Sequence, residues 1–205
     1  MLQHVGSATR TALLLACAIT TGCSQSTSTF QDAVTRHANG AVAAEGQTRY
    51  GKKVGPWTHY REDGSKESVV SYEEGVRTFL LRYHQNGEQA LVGEFSKGER
   101  DGIWHYLSPY GDAVKQETYK EGVLIKRVDE KEERVTYYYE SGQVRLIGTF
   151  RDGEEDGDYV SYYENGHQKE RGAYRDGARH GVWVYWTEQG DVLRREVWTN
   201  GEQVR

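Results

Sequence analysis

Asn165-Gly166-His167-Gln168-Lys169-Glu170-Arg171-Gly172-Ala173-Tyr174-Arg175-Asp176-Gly177 is the stretch whose reading decides the fold. A turn dipeptide opens it, an aromatic stands eight residues after the first glycine, and a second turn dipeptide closes it three residues later. The same spacing occurs six times. Its opening glycines are Gly64, Gly87, Gly111, Gly142, Gly166 and Gly190, and its aromatics are Tyr72, Phe95, Tyr119, Phe150, Tyr174 and Trp198. Its closing glycines are Gly75, Gly98, Gly122, Gly153, Gly177 and Gly201. Successive units begin 23, 24, 31, 24 and 24 residues apart, so one insertion interrupts an even period. A period of this length means stacked copies of one supersecondary unit. Such an array favours a binding or scaffold surface over an enclosed enzyme pocket.

The runs between the glycines, such as Val182-Trp183-Val184-Tyr185-Trp186, are rich in β-branched and aromatic residues and show no 3.6-residue apolar period. The fold class predicted is therefore all-β, an extended antiparallel meander of about six two-stranded hairpins, twelve strands in all. Asp63-Gly64, Asn86-Gly87 and Asn165-Gly166 read as two-residue hairpin turns, because both central residues of a type I′ turn need positive φ. A further glycine follows the closing one by four in several units, at Gly102, Gly157 and Gly181, with Gly55 equivalent at the start. Each precedes an aromatic by two: Trp57, Trp104, Tyr159 and Trp183. Counting outward from a two-residue turn pairs Gly55 with Tyr72, Gly102 with Tyr119, Gly157 with Tyr174 and Gly181 with Trp198. An aromatic over a cross-strand glycine covers bare backbone and pins the register.

Apolar residues make up 36% of the 205 residues and aromatics 12%, so tyrosine and tryptophan must supply much of the buried area. The formal charge of -5 is spread without a basic stripe, which argues against nucleic acid. Arg10 precedes the short apolar run Thr11–Ile19, too short to span a bilayer. Thr20-Thr21-Gly22-Cys23 then resembles a bacterial lipoprotein processing site, with Cys23 as the lipidated residue. Leu14-Leu15-Ala16-Cys17 is a better local match but leaves too little apolar sequence ahead of it. An ordinary secretory peptide with an incidental cysteine is the plainer alternative. The organisation expected is a signal peptide over 1–22, a flexible tether over 23–44 and a repeat domain over 45–205, with the insertion at about 123–134. Cys17 and Cys23 are the only cysteines, so the exported domain has no disulfide. Ser24 after the lipidated cysteine implies the outer membrane, facing the periplasm, if the cell is Gram-negative.

Gly102-Ile103-Trp104, Gly157-Asp158-Tyr159 and Gly181-Val182-Trp183, with Tyr119-Lys120-Glu121-Gly122 and Tyr174-Arg175-Asp176-Gly177, resemble the bacterial variant of MORN repeats. The chain is also similar to arrays of such repeats termed YwqK-type antitoxins. That resemblance implies a lipid-anchored protein of the bacterial cell envelope that works by binding, with neutralisation of a toxin as a special case. Two places depart from the pattern. The run after Gly75 lacks its second glycine, and the run after Gly122 is longer and contains Asp129-Glu130-Lys131-Glu132-Glu133-Arg134. The charged run reads either as a solvated loop or as a protruding recognition element.

His59, His84, His105, His167 and His180 are scattered without metal-ligand spacing, and no nucleophile elbow, P-loop or dinucleotide fingerprint occurs. The expectation is a non-enzyme with no catalytic residue, no metal and no cofactor. Trp57, Trp104, Tyr159 and Trp183 form the candidate binding surface, either stacking on wall glycans or serving as the packing ladder itself. The partner expected is an envelope protein, with the membrane engaged through the lipid anchor; a wall-glycan module is the alternative. An apolar strip left uncovered would mark a partner surface or a homodimer of two arrays. With 26 Lys/Arg against 31 Asp/Glu, a direct phospholipid-binding face ranks below both.

Overall fold

The computed structural model describes residues 29–204. The signal segment 1–22, Cys23 and the first residues of the expected tether lie outside the described residues. Sixteen antiparallel strands follow one another in chain order across a single open sheet. They are β1 (Gln31–Arg36), β2 (Val42–Arg49), β3 (Lys52–Tyr60), β4 (Lys66–Glu73), β5 (Val76–Tyr83), β6 (Gln89–Ser96), β7 (Glu99–Leu107) and β8 (Ala113–Lys120). Then come β9 (Val123–Asp129), β10 (Arg134–Tyr138), β11 (Val144–Arg151), β12 (Glu154–Tyr162), β13 (Gln168–Arg175), β14 (Ala178–Trp186), β15 (Val192–Thr199) and β16 (Glu202–Val204). At about 4.8 Å per strand the sheet runs about 70 Å from β1 to β16.

The tether reading fails from Gln31 onward, because β1 and β2 are already part of the sheet. A seventh unit starts at Gly40 and closes at Gly51, and Thr48 stands where the other units carry their aromatic. With Thr48 there, the glycine–aromatic–glycine spacing does not mark this unit.

Turn assignment is the second correction. The type I′ turns are the closing dipeptides: Glu74 and Gly75 have φ of 48° and 86°, and Asp176 and Gly177 have 48° and 74°. The opening glycines instead sit in longer turns, in which Arg61 N–H bonds Ser65 O at 2.9 Å and Gly64 N–H bonds Arg61 O at 2.9 Å. There only the glycine has positive φ, and Asp63 contributes its carboxylate to the Ser65 N–H at 2.8 Å. A one-residue bulge after each longer turn, such as Glu67 opposite the His59–Tyr60 step, restores the register that a two-residue turn would give. Gly55 thus pairs with Tyr72, Gly102 with Tyr119, Gly157 with Tyr174 and Gly181 with Trp198, as expected. Side chains of the longer turns tie each unit to the next. Asn86 Nδ2 donates to Pro109 O at 2.7 Å, His84 Nε2 to Leu107 O at 2.9 Å, and Tyr163 Oη to Trp186 O at 2.9 Å.

The covered glycines are not the ones expected. A Cβ at Gly55, Gly102 or Gly181 would meet open space, but one at Gly46 would lie 2.5 Å from the Trp57 ring. At Gly93 it would lie 2.2 Å from Trp104, and at Gly172 2.3 Å from Trp183. Gly55, Gly102 and Gly181, with φ of 64°, 69° and 75°, form the bulge that swings the following indole over the glycine of the preceding strand.

The insertion is neither a solvated loop nor a protrusion. It builds β9, a 3₁₀ turn (Glu130–Glu132) and β10, so the sheet gains one strand between two full units. One added strand reverses the direction of every later strand. The longer turns at 37–41, 61–65, 84–88 and 108–112 lie along one edge, whereas those at 139–143, 163–167 and 187–191 lie along the other. The buried face changes as well. Paired residues of antiparallel strands share a face, and Trp104 connects through Glu117, Arg127, Thr136, Ile147, Val160 and Arg171 to Val184. Trp183, next to Val184, therefore points to the opposite side. On β10 the adjacent residues Val135 and Thr136 are both buried, one on each face, where the core crosses the sheet.

Because the indole occupies the space of the missing side chain, Gly93→Ala and Gly172→Ala are expected to lower stability by about 2–3 kcal/mol each through overpacking. Gly148, whose added Cβ would lie 3.4 Å from Phe150, should accept alanine with a change below about 1 kcal/mol. Urea unfolding midpoints of the three variants check the contrast; equal losses would contradict it.

Candidate functional site

Trp57, Trp104 and Trp183 are 3%, 0% and 0% exposed, so none offers an open ring face. They form the packing ladder. Trp104 meets Phe95 edge-on at 5.1 Å and Tyr119 at 6.1 Å, and Trp183 meets Tyr174 at 5.1 Å. A cation two residues before the bulge glycine covers each indole. Lys53 Nζ lies 4.0 Å from the Trp57 ring centre and 5.1 Å from that of Tyr72. Arg100 stands 4.4 Å over Trp104 and 5.1 Å over Tyr119, and Arg179 4.2 Å over Trp183 and 5.4 Å over Trp198. Trp57 Nε1 donates to Gln47 O at 2.9 Å and Trp183 Nε1 to Ala173 O at 3.2 Å. The buried Trp104 Nε1 has no hydrogen-bond partner among the described residues.

Carboxylates form the polar half of the ladder. Tyr106, Tyr159 and Tyr185 each donate a hydroxyl to the glutamate eleven residues on: Glu117 at 2.5 Å, Glu170 at 3.1 Å and Glu196 at 2.8 Å. Glu117, directly opposite Trp104 and 3% exposed, also accepts from Tyr119 at 2.8 Å, Lys115 at 2.8 Å and Arg127 at 2.7 Å. Burial alone would raise its pKa, but the bonds from Lys115, Tyr106, Tyr119 and Arg127 outweigh it and bring the carboxyl down to about 2. Burial and the hydrogen bond to Glu117 push the Tyr106 phenol up in turn. The eleven-residue tyrosine–glutamate spacing stood in the sequence unread, since glutamates are too common there to single any out.

Tyr159 and Trp183 are not part of one surface with Trp57 and Trp104, because the two pairs face opposite sides of the sheet. Tyr159 does border a hollow. On the face buried by the second half, β9 to β13 leave two adjoining depressions of about 680 and 540 Å³ that share Tyr137 and Phe150. Their floor is aromatic, with Tyr139 and Tyr159 completing it. The lining carries the carboxylates Glu130, Glu133, Asp152, Glu155 and Glu170 against the cations Lys126, Arg145 and Lys169. This groove exists because the unit here is undersized. Tyr159 stands where three other units carry the indoles Trp57, Trp104 and Trp183, and it rests loosely on Gly148, whose added Cβ would be 3.9 Å from it. The β10 strand beside it contributes Val135 in place of a further ladder aromatic. Among the described residues no group of three or more His, Cys, Asp or Glu is placed to hold a metal, and no helix is long and apolar enough to cross a membrane.

The sequence family described as "MORN repeat variant" matches residues 134–152, the β10–β11 hairpin at the edge of this groove. The chain carries a MORN-type repeat. Such repeats are in general protein- or membrane-binding modules. No curated protein matches the sequence. Among solved structures, a chain of the GtfA/B complex bound to UDP and GlcNAc aligns at 15% identity over 58% of this chain, with a TM-score of 0.24. The aligned part is 22% of that chain's length, and so low a score supports no functional transfer.

The Glu117 carboxyl is held below its ordinary value of 4.5, so its stabilisation is complete above that pH and is lost as pH falls toward about 2. Thermal midpoints measured from pH 7 to pH 2 are expected to drop through this window, and Glu117→Gln should remove on the order of 3 kcal/mol at neutral pH. A variant as stable as the parent at pH 7 would contradict the assignment.

Proposed function

We propose that this chain is a lipid-anchored, non-enzymatic binding module of the bacterial cell envelope whose groove over β9–β13 receives a protein partner. In a Gram-negative cell Cys23 would hold it to the outer membrane, facing the periplasm. The observation that carries this reading is the coincidence of three breaks in the repeat: the added strand, the smaller aromatic Tyr159 and the groove. In the units of Trp57, Trp104 and Trp183 the indole is sealed. An immunity or antitoxin role is the case in which the partner is a toxin. Wall-glycan binding finds less support, because sugar stacking needs open ring faces and the three indoles are covered by backbone and cations. The acid-rich lining likewise argues against an anionic headgroup.

A photo-crosslinking amino acid at Tyr139, in the groove lining, is expected to capture one envelope protein, identified by mass spectrometry. Capture of glycan or lipid alone would overturn the reading. Cys23→Ala should release the protein from the membrane fraction; a variant that stays membrane-bound would remove the anchor from the account.

A further inference from the structure

The array describes the occupant that its aromatic sites accept, because it fills most of them itself. Lys53, Arg100 and Arg179 each stand two residues before a bulge glycine and reach over the aromatic pair of their own unit. In the unit of Gly157 that position is Glu155. The aromatic pair is still present, with Tyr159 and Tyr174 edge to face at 5.6 Å, close to the arrangement of Trp104 and Tyr119. Among the described residues no cation stands over Tyr159, and Glu155 forms no ion pair. The repeat has thus exchanged its own covering cation for a carboxylate at the one unit that opens into the groove.

The geometry points to this groove as the receptor for an arginine or lysine side chain of the partner protein, seated on Tyr159 between Glu155 and Glu170. The inference rests on the protein-binding reading above and adds the chemistry of the partner's anchor. A guanidinium here would take the place of Arg100 in the intact unit, where that group lies over its rings and donates to the Tyr119 hydroxyl oxygen at 2.8 Å. Glu155 would give it an unpaired acceptor in a partly desolvated hollow, where charge-assisted bonds and ring contacts are stronger than at an open surface, and Glu170, which accepts from Tyr159 and Ser161 and stands 3.9 Å from Arg179, would add a shared second one. Arg179, near Glu170, lies over Trp183 and Trp198, and the two cations that line the hollow with Tyr159 are engaged with other rings. Arg145 stands over Tyr137 at 5.5 Å and Lys169 over Tyr163 at 5.8 Å. Neither reproduces the missing cover.

The test titrates the full chain with a fluorescein-labelled ten-residue glycine–serine peptide carrying two arginines, and with the same peptide carrying two citrullines, which keep the shape and lose the charge. The arginine peptide is expected to bind at least tenfold more tightly. Glu155→Arg restores the repeat's own cation, so it should weaken the arginine peptide at least tenfold while the thermal midpoint is unchanged or higher. Glu155→Gln, which keeps the volume, should weaken binding less. Equal binding of the two peptides, binding of neither, or indifference to Glu155→Arg would overturn the inference. So would competition for the site by soluble peptidoglycan fragments or anionic phospholipid vesicles in place of the arginine peptide. A protein captured from Tyr139 together with no preference for arginine would leave the protein-binding reading standing and remove this one alone.

Discussion

Everything in this sheet depends on a handed step: a glycine at positive φ bulges the strand and lays the next aromatic over a glycine of the strand before it. L-amino acids adopt that bulge in one hand only, so the strand's direction and the direction of stacking together fix which face the aromatic buries. A unit cannot be run backwards without being turned over. Residues 123–138 form two strands where other units have one, which reverses the strand direction, and the only way for the same unit to continue is rotated by half a turn about the long axis of the sheet. The exchange of edges by the turns, the exchange of faces by Trp104 and Trp183, and the paired burial of Val135 and Thr136 are three consequences of that one constraint.

A sheet of one layer must protect a core that has no second sheet above it. The repeat does so with long cations. Lys53, Arg100 and Arg179 lay their stems and charged heads over the rings, and glutamates opposite or beside the rings, Glu117 buried and Glu196 half-buried, bind the tyrosine hydroxyls. Charge and aromatic area are therefore one structure, and a unit that loses the cation loses its cover. At the point where the array turns over, the unit has a smaller ring and an acid in the cation's place. The groove follows from packing, and its charge follows from the same substitution.

Much of this was legible in the sequence, and the failures have physical causes. The register of Gly55 with Tyr72 was right although the turn behind it was misassigned, because a five-residue turn plus a one-residue bulge offsets the chain as a two-residue turn does. The first unit reads as a tether because Thr48 supplies the strand without the aromatic that marks the others. The indoles read equally as ladder or as binding surface, since residue type fixes their size but only the missing Cβ of Gly46, Gly93 and Gly172 shows that they are covered. The insertion was read by its charge. Its effect lies in the parity of strands it adds, which no residue in it announces, although Val135-Thr136-Tyr137-Tyr138 is strand-like once the run is taken as strand rather than loop.

The turning-over is tested most directly by spin labels at three sites, in a chain whose two native cysteines are replaced. Glu140 should lie on the same edge as Lys120, two strands away at about 10–15 Å, and on the opposite edge from Tyr110, at about 25–30 Å, from strand spacing and length. Dipolar EPR of the Lys120–Glu140 and Tyr110–Glu140 pairs gives both distances. The account expects the Lys120 pair to be the shorter; a shorter Tyr110 pair would mean that the insertion is only a loop and that the array never changes face.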